Sequence, residues 1–287
     1  ISSIAETSDG GIIAGGYFKS SSIDLEKVVV LNNNGSADGM IIKYSAEVEV
    51  EWATGIGGSE EDEINAVVET SDGGYVAGGY FKSSSIDLGN GVTLSNNSSS
   101  SSSTDGMIIK YNAKGECEWG KVIKGDDYDY IESVAETSDG GIIAGGYSTS
   151  KIIDLGIGVI HNTNYGAING MIIKYSAEGE VEWAQGIGDN KVSKIYSVTE
   201  TSDGGYVAGG SFSSSSIDLG NGVVLNNNGS ADGMIIKYSS SAGVEWAKVI
   251  GGSGSDQINS VAETSDGGII AGGYFESSNI DLENGIS

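Results

Sequence analysis

The chain has 287 residues, 38% of them hydrophobic, with 47 glycines, one cysteine and no proline. Its formal net charge of -26 at pH 7 repels phosphate backbones and anionic lipids, which argues against nucleic acid and membrane insertion. No apolar run approaches the roughly 18 residues that span a bilayer, and a single cysteine excludes an internal disulfide.

Two short segments recur along the chain at nearly constant intervals. Glu-Thr-Ser-Asp-Gly-Gly occurs five times, beginning at Glu6, Glu69, Glu136, Glu200 and Glu263, with spacings of 63, 67, 64 and 63 residues. Gly-Met-Ile-Ile-Lys-Tyr occurs four times, beginning at Gly39, Gly106, Gly170 and Gly233. This repeat predicts one array of similar units over residues 1–287, with copies that start near 1, 64, 131, 195 and 258.

Each copy has the pattern of four short strands, shown here for the second. Residues 64–70 alternate between apolar and polar side chains, and the Asp-Gly in residues 71–74 favours a two-residue hairpin turn with positive φ at both central positions. Residues 75–81 return as a second strand, whose small residues suit a crowded centre. Residues 106–111 and 116–122 give a third and a fourth strand around a polar turn, so the fold class is all-β, with four-stranded antiparallel sheets.

A lysine and a glutamate recur eight residues apart in the third and fourth strands, as in Lys43 and Glu51. A hairpin with its turn midway would place them opposite each other as a cross-strand ion pair, which is a structural rather than a catalytic role. Aromatic residues adjoin both, and their recurrence in every copy predicts packing between neighbouring units. Cys117 occupies the place of a valine in the other copies, so it is interpreted as a small buried hydrophobe.

Repeated aspartates mark the turns and loops of every copy. Those in the hairpin turns are Asp9, Asp72, Asp139, Asp203 and Asp266, and those in Ile-Asp-Leu are Asp24, Asp87, Asp154, Asp218 and Asp281. Their side chains are expected to bond to nearby backbone. Further carboxylates cluster before the first strand of two copies and are candidate Ca²⁺ ligands, although no known calcium spacing is present: Glu60, Glu61, Asp62, Glu63, Asp126, Asp127 and Asp129.

The loops between the second and third strands are long and differ between copies. They include residues 27–37, the serine tract 98–103, and residues 161–169, which contain His161 and Tyr165 as candidate ligand-binding residues. Variable loops on a constant scaffold are where binding sites commonly lie, although Ser/Asn/Gly tracts are also typical of solvated linkers. His161 is the only histidine, so neither a repeated Ser–His arrangement nor a multi-histidine metal site exists.

Three segments of the fourth copy carry a resemblance to a known family. Ile-Asp-Leu-Gly-Asn-Gly-Val (217–223), Asp-Gly-Met-Ile-Ile-Lys-Tyr (232–238) and Val-Glu-Trp-Ala (244–247) resemble the bacterial β-propeller repeat called SBBP, which is distantly related to WD-repeats. The resemblance covers essentially the whole chain. It implies a β-propeller built of four-stranded blades, as in this family of seven-bladed propeller repeats, and a secreted or cell-surface location in a bacterium; the count of copies predicts about five blades in this chain. Because propellers carry many functions, the resemblance does not define a ligand.

The chain has five copies of the first hairpin and four of the second, so the fifth blade is expected to lack its two outer strands. An unpaired sheet edge favours association, and self-association through this last blade is a further expectation. An open arc of a larger ring, or an extended solenoid, is an alternative to a five-bladed ring.

The sequence favours a non-catalytic interaction or adhesion module that binds a protein or a glycan and needs no cofactor. Near-identical copies support this interpretation, because an active site normally breaks repeat symmetry. Two alternatives stay open. One is a structural spacer within a larger surface protein. The other is a carbohydrate-active enzyme, which would need two carboxylates about 5–10 Å apart beside an aromatic residue.

Overall fold

A computed structural model describes residues 1–26, 28–96, 103–155, 159–161, 167–189, 191–280 and 282. Its described elements are β-strands joined by turns and loops. No helix within these ranges is long and apolar enough to cross a membrane.

The strands are named in chain order, copy by copy. The first copy contains β1 (Ser3–Glu6), β2 (Ile12–Phe18), β3 (Ser22–Leu25), β4 (Val29–Asn32), β5 (Asp38–Tyr44) and β6 (Val50–Ile56). The second contains β7 (Asp62–Glu69), β8 (Tyr75–Phe81), β9 (Ser85–Asp87), β10 (Thr93–Ser95), β11 (Asp105–Tyr111) and β12 (Cys117–Ile123).

The third copy contains β13 (Asp129–Glu136), β14 (Ile142–Ser148), β15 (Ile152–Asp154), β16 (Val159–His161), β17 (Asn169–Tyr175) and β18 (Val181–Ile187). The fourth contains β19 (Ser193–Glu200), β20 (Tyr206–Phe212), β21 (Ser216–Asp218), β22 (Val224–Asn226), β23 (Asp232–Tyr238) and β24 (Val244–Ile250). The fifth contributes β25 (Asp256–Glu263) and β26 (Ile269–Phe275).

Four sheets of the same topology follow one another along the chain, and the predicted all-β class is confirmed. Their strand orders are β1-β2-β5-β6, β7-β8-β11-β12, β13-β14-β17-β18 and β19-β20-β23-β24, referred to below as sheets 1 to 4. Neighbouring strands are antiparallel throughout. Strands β25 and β26 form a two-stranded fifth sheet. The first strands of successive sheets pack against one another, so this edge of each sheet lies at the inner side of the array.

The Ser-Asp-Gly hairpin turns exist where predicted, but their geometry differs from the predicted two-residue turn. In the first copy Gly10 has a positive φ of 82°, whereas Asp9 is not among the positive-φ residues. The Thr7 hydroxyl and the Gly11 N–H both donate to Asp9 Oδ1, at 2.6 and 2.9 Å. The aspartate side chain therefore fixes the turn from inside, as expected for a bond to nearby backbone, and only the glycine needs the left-handed conformation.

The recurring lysine forms its predicted ion pair, but not by standing opposite the glutamate. The register pairs Lys43 with Trp52, because a bulge follows and leaves Glu51 as the extra residue. The ammonium still lies 3.1 Å from the Glu51 carboxylate and 3.0 Å from that of Asp9. It also donates to the carbonyl of Tyr44 at 2.9 Å. A buried lysine thus connects the first hairpin turn of each full sheet to its outer strands.

Glycine in the second strand allows adjacent sheets to approach closely. A Cβ on Gly145 would lie 2.5 Å from Val198 and 2.8 Å from Ile195, both on the first strand of the next sheet. Equivalent contacts recur at Gly15, Gly78 and Gly209. The apolar residues that fill these sites are almost fully buried, with Ile195 at 0% exposure. The small residues of the second strand were predicted to suit a crowded centre, and the crowding that these glycines meet is at the boundary with the next sheet.

The two ends of the Glu-Thr-Ser-Asp-Gly-Gly motif meet across sheet boundaries. The Ser71 backbone N–H and hydroxyl both donate to the carboxylate of Glu136, the first residue of the next copy's motif, at 2.7 and 2.8 Å. The same arrangement joins Ser8 to Glu69, Ser138 to Glu200 and Ser202 to Glu263. Charge-assisted bonds of this kind fix the relative position of neighbouring sheets.

Aromatic packing between neighbouring units is also confirmed. Trp52 of sheet 1 meets Tyr75 of sheet 2 edge to face, with ring centroids 5.4 Å apart. Gly115 lies against the same indole, so a Cβ there would come within 2.6 Å of the ring. Cys117 is buried beside this contact, and burial raises the pKa of its thiol to about 11, which suits the predicted role as a hydrophobe.

Candidate functional site

Two of the candidate cation ligands are part of the scaffold. Asp62 is fully buried and accepts bonds from the Lys82 and Ser83 N–H groups, the Ser83 hydroxyl and the Gly58 N–H. Asp129 is equally buried and accepts bonds from the hydroxyls of Ser148 and Ser150. These carboxylates already bond to protein donors that lock the start of a first strand.

The other acidic candidates point to separate partners. Glu60 lies 3.8 Å from the ammonium of Lys82, and Glu61 lies 3.6 Å from that of Lys19. Asp126 accepts the N–H of Lys151 at 2.8 Å, the Asp127 N–H donates to the Ser150 hydroxyl at 3.0 Å, and Glu63 bonds to Tyr80. Across the described ranges, no three or more His, Cys, Asp or Glu residues are placed to share a cation.

His161 ends β16 and pairs with Ile152 across the small β15–β16 hairpin. Tyr165 lies outside the described residues. The β15–β16 hairpin is one of four that the sequence analysis did not predict. Each of copies 1 to 4 has a two-stranded hairpin in the long loop between its second and third strands. These hairpins lie beside the outer strand of their own sheet, where Leu88 and Leu94 cover Gly120.

Buried carboxylates face each other where successive sheets join. The residues that open the third strands are almost wholly buried: Asp38, Asp105, Asn169 and Asp232. Each has a buried side-chain atom that lacks a hydrogen-bond partner among the described residues. Burial raises the pKa of Asp105 to about 6, although the Gly125 N–H and Lys124 act against the rise. Asp105 also raises the pKa of Asp129 across the junction, with burial the larger cause.

Asp105→Asn is expected to stabilise the protein at neutral pH by up to about 2 kcal/mol. The carboxyl has an ordinary pKa of 3.8 and a folded value of about 6, so its cost to stability is absent below pH 4, grows between pH 4 and 6 and is complete above pH 6. As pH rises from 4 to 7, the free energy of unfolding of the variant, measured with urea, should therefore fall less than that of the native chain. The third copy already has Asn169 and Ser193 at this junction, so an amide fits.

Asp87→Asn is the matched control for this prediction, because Asp87 is exposed and bonds only to the N–H of Gly89 among the described contacts. Its pH profile should follow that of the native chain. If Asp105→Asn leaves the pH dependence of stability unchanged, or lowers stability at pH 7, then ionisation of the buried carboxyl does not destabilise the fold.

Tyrosines from sheets 2 and 3 gather at the inner side of the array. Tyr130 meets Tyr80 edge to face at 4.8 Å and stacks on Tyr147 at 4.9 Å between ring centroids. The ammonium of Lys194 lies 3.9 Å from the Tyr147 ring centroid. Burial raises the pKa of Glu132, which bonds to Tyr147, although Lys194 opposes the rise. Tyr130 and Lys194 occupy a position where the other copies have Glu63 and Gln257, so this half-buried cluster breaks the repeat symmetry.

A cleft of about 580 Å³ opens on the outer side of the array between sheets 2 and 3. Its walls are Thr93–Ser95, Gly120–Val122, Lys124, Asp154, Leu155, Tyr175 and Gly179–Val181. The hairpins β9–β10 and β15–β16 therefore supply two sides, and the outer strand of sheet 2 supplies the floor. Lys121 reaches across to Glu180, 3.0 Å away, while the buried Tyr175 contributes no exposed ring. The volume lies within the range of ligand pockets.

Lys124 makes this cleft different from the other sheet junctions. The corresponding residues in the other copies are Gly57, Gly188 and Gly251. Its backbone joins the neighbouring hairpin through the Asp154 N–H, which donates to the Lys124 carbonyl at 3.0 Å. Two lysines line a single cleft in a chain whose net charge is -26. Glu180 and Asp154 also line the cleft, so Lys124 adds a positive charge that the other sheet junctions lack, without making the cleft basic as a whole.

Four-stranded antiparallel sheets repeated around a common inner edge define the class of this protein as a β-propeller. The chain is similar to the crystal structure of a protein of unknown function from Bacteroides caccae, with a TM-score of 0.42, 10% identity and 90% of this chain covered. It is also similar to Sqt1 from Chaetomium thermophilum, with a TM-score of 0.35 and 10% identity over 91% of this chain and 74% of that protein.

The chain spans about 64% of the length of the Bacteroides caccae protein. No family model and no curated protein matches the sequence, so the resemblance to SBBP repeats remains a prediction.

Proposed function

We propose that this protein is a non-catalytic interaction module, of the SBBP-like kind, displayed outside a bacterial cell. Its ligand binds in the outer cleft between sheets 2 and 3. The single observation that carries the proposal is the cleft itself, a concavity bordered by two variable hairpins and by a lysine that replaces glycine. The rest of the scaffold repeats nearly unchanged, whereas this surface differs from copy to copy.

The chemistry of the cleft favours a carboxylate-bearing glycan. Lys121 and Lys124 provide ammonium groups, and Ser95 and Thr93 provide hydroxyls at the rim. Ammonium groups attract carboxylates, and hydroxyls exchange hydrogen bonds with sugar hydroxyls. Lys121 is held by Glu180 at 3.0 Å, whereas Lys124 has no ion pair within 4 Å among the described contacts, although its charge acts on the buried Asp105.

The cleft offers binding groups rather than a catalytic set. Glu180 is engaged by Lys121, and Asp154 belongs to the hairpin edge that bonds to Lys124. A glycosidase would need two carboxylates that flank the sugar, whereas Glu180 is paired with Lys121 and Asp154 lies in the hairpin edge.

Lys124→Gln is expected to weaken binding to an acidic glycan by at least about tenfold, because one charge-assisted contact is lost. Binding would be measured with the 287-residue chain on a panel of neutral and uronate- or sialate-containing oligosaccharides, followed by titration of the best ligand. Lys114→Gln removes the same charge from an exposed turn and should bind as the native chain does. The same mixtures would be followed by mass spectrometry for hydrolysis.

Three outcomes would contradict this proposal. Equal loss of affinity in both lysine variants would show a general charge effect instead of a site. Cleaved sugars would show an enzyme. No binding to any oligosaccharide in the panel would favour the structural spacer, for which the cleft has no ligand.

A further inference from the structure

The first strands of copies 2 to 5 share a short pattern in which two positions differ widely between copies. The pattern has a variable residue, an isoleucine, a second variable residue, a small residue and a valine. The first variable position has Glu63, Tyr130, Lys194 and Gln257, and the second has Asn65, Glu132, Tyr196 and Asn259. Charged, aromatic and amide side chains therefore replace one another at two defined points of a repeated strand.

Both variable positions face the same side of sheet 3. The register shifts between Ile131 and Ser133, which leaves Glu132 as the extra residue of a β-bulge. Tyr130 stands opposite Tyr147 on the second strand and stacks on its ring. Glu132 bonds to the hydroxyl of the same tyrosine. The bulge thus adds a carboxylate to the surface that the rings already form.

Tyrosine rings and carboxylates occur together on this surface. Tyr130 meets Tyr80 and Tyr147, with ring-centroid distances of 4.8 and 4.9 Å. The hydroxyl of Tyr80 bonds to Glu63, as that of Tyr147 bonds to Glu132. All five residues are half-buried, so part of each is accessible to solvent. The rings and carboxylates therefore hold one another in place while an accessible surface remains.

Lys194, at the first variable position of sheet 4, shows what kind of group this surface accepts. Its ammonium lies 3.9 Å from the centroid of the Tyr147 ring. Burial lowers the pKa of Lys194, while the charge of Glu132 acts in the opposite direction. An ammonium that rests on an aromatic ring in a partly desolvated place makes a cation–π contact. The chain therefore supplies one such cation to this surface itself.

The charges of this surface do not balance. The carboxylates are Glu61, Glu63 and Glu132, and the ammonium groups that act on them are those of Lys19 and Lys194. Three negative charges thus meet two positive ones. Lys19 lies 3.6 Å from Glu61, whereas Glu63 has no ion pair within 4 Å among the described contacts. Burial raises the pKa of Glu63, and a bound cation would compensate this carboxylate.

We propose that this surface, formed by Glu63, Tyr80, Tyr130, Glu132 and Tyr147, binds a small molecule that carries an alkylammonium group. The cation rests against the tyrosine rings beside the two glutamates, and the lysine of sheet 4 occupies the neighbouring ring in the ligand-free chain. The net charge of -26 favours a cationic ligand. The site lies on the inner side of the array and does not depend on the glycan proposed for the outer cleft. A few partly exposed contacts correspond to a dissociation constant on the order of 1 mM.

The test titrates the 287-residue chain with choline, putrescine and neohexanol, and follows binding by calorimetry and by ligand NMR signals. Choline has a quaternary ammonium group and putrescine has primary ones, so the two ligands show which kind of ammonium the site prefers. Neohexanol has the shape of choline, with a carbon atom in place of the charged nitrogen. The preferred cation is expected to bind at least about tenfold more tightly than neohexanol, because the neutral molecule gains no ionic or cation–π contact.

The repeat supplies substitutions that another copy already tolerates at the same position. Tyr130→Gln introduces the residue of Gln257, and Glu132→Asn introduces that of Asn259. Each is expected to weaken choline binding at least about tenfold, because a ring or a carboxylate of the site is lost. Lys194→Gln removes the competing ammonium and one positive charge, so choline should bind about threefold more tightly or better.

Two further substitutions serve as controls. Tyr17→Ser removes the tyrosine at the corresponding position of sheet 1, which makes no ring contact with the cluster among the described residues, and the fourth copy has Ser211 there. Lys124→Gln removes a lysine of the outer cleft. Both variants should bind choline as the native chain does. Because Lys124→Gln is expected to lose glycan binding and retain choline binding, either proposal can fail without the other.

Four results would overturn the inference. The first is a native chain that binds neither cation at about 20 mM. The second is equal affinity for neohexanol and choline, which would show an apolar site. The third is native affinity for choline in Tyr130→Gln and Glu132→Asn, verified as folded by circular dichroism, which would place the site elsewhere. The fourth is choline binding by Lys194→Gln that is no tighter than that of the native chain, because the lysine would then not occupy the site.

Discussion

Gly145→Val is expected to lower the free energy of unfolding by about 3 kcal/mol, the largest effect of any single substitution considered for this scaffold. The new Cβ would lie 2.5 Å from Val198 and 2.8 Å from Ile195. Both neighbours are β-branched and buried, so neither side chain can rotate away without opening the contact between sheets 3 and 4. Urea unfolding of dilute protein, monitored by tryptophan fluorescence, measures the change.

The chain supplies its own control for this prediction. Gly272 has the same sequence neighbours, Ile-Ile-Ala before it and Gly-Tyr after it, but open space above it. Gly272→Val should therefore leave stability unchanged or raise it slightly, since valine favours a strand over glycine. Equal destabilisation by the two substitutions would mean that the cost comes from the strand itself and that packing between sheets is not responsible.

The repeat and its turns made most of the architecture predictable. Residues 75–81 were expected as a strand and form β8, and the third strand begins only one residue earlier than expected, at Asp105. Alternation of side chains and Asp-Gly turns are local signals, which is why they could be interpreted without a structure. The bulge that pairs Lys43 with Trp52 could not be inferred, because register depends on both strands.

Polar contacts between copies were the part that the sequence did not reveal. Glu136 and Ser71 both belong to the most obvious motif, yet they bond across 65 residues and only the stacked sheets bring them together. The small hairpins in the variable loops were missed because their strands are as short as three residues. Aligning the copies would have shown one signal of the cleft, since Lys124 stands where the other copies have glycine.

Lys174→Met is expected to destabilise the protein by about 1–3 kcal/mol at pH 7. The Lys174 side chain is 1% exposed, and its ammonium lies 3.0 Å from Asp139 and 3.2 Å from Glu182 and donates to the Tyr175 carbonyl at 3.0 Å. Removing one partner of a fully buried pair commonly costs 3–5 kcal/mol. The cost here is smaller because both carboxylates are about half exposed, at 57% and 45%, and water can solvate them once the lysine is gone.

The pH dependence of this variant distinguishes the loss of a charge network from the loss of packing. The bonds from Thr137, Gly141 and Lys174 outweigh burial, which acts in the opposite direction, and lower the pKa of Asp139 from 3.8 to about 2. The stability that this carboxylate contributes is therefore complete above pH 4 and is lost as pH falls towards 2. In Lys174→Met the pKa of Asp139 should return towards its ordinary value, so the free energy of unfolding should decline less steeply between pH 4 and 2 than in the native chain.

Lys114→Met, at an exposed turn, should leave both the stability at pH 7 and its decline between pH 4 and 2 unchanged. If Lys174→Met shifts the whole profile without changing its slope between pH 4 and 2, the lysine acts through the packing of its side chain and the ion pair with Asp139 contributes little.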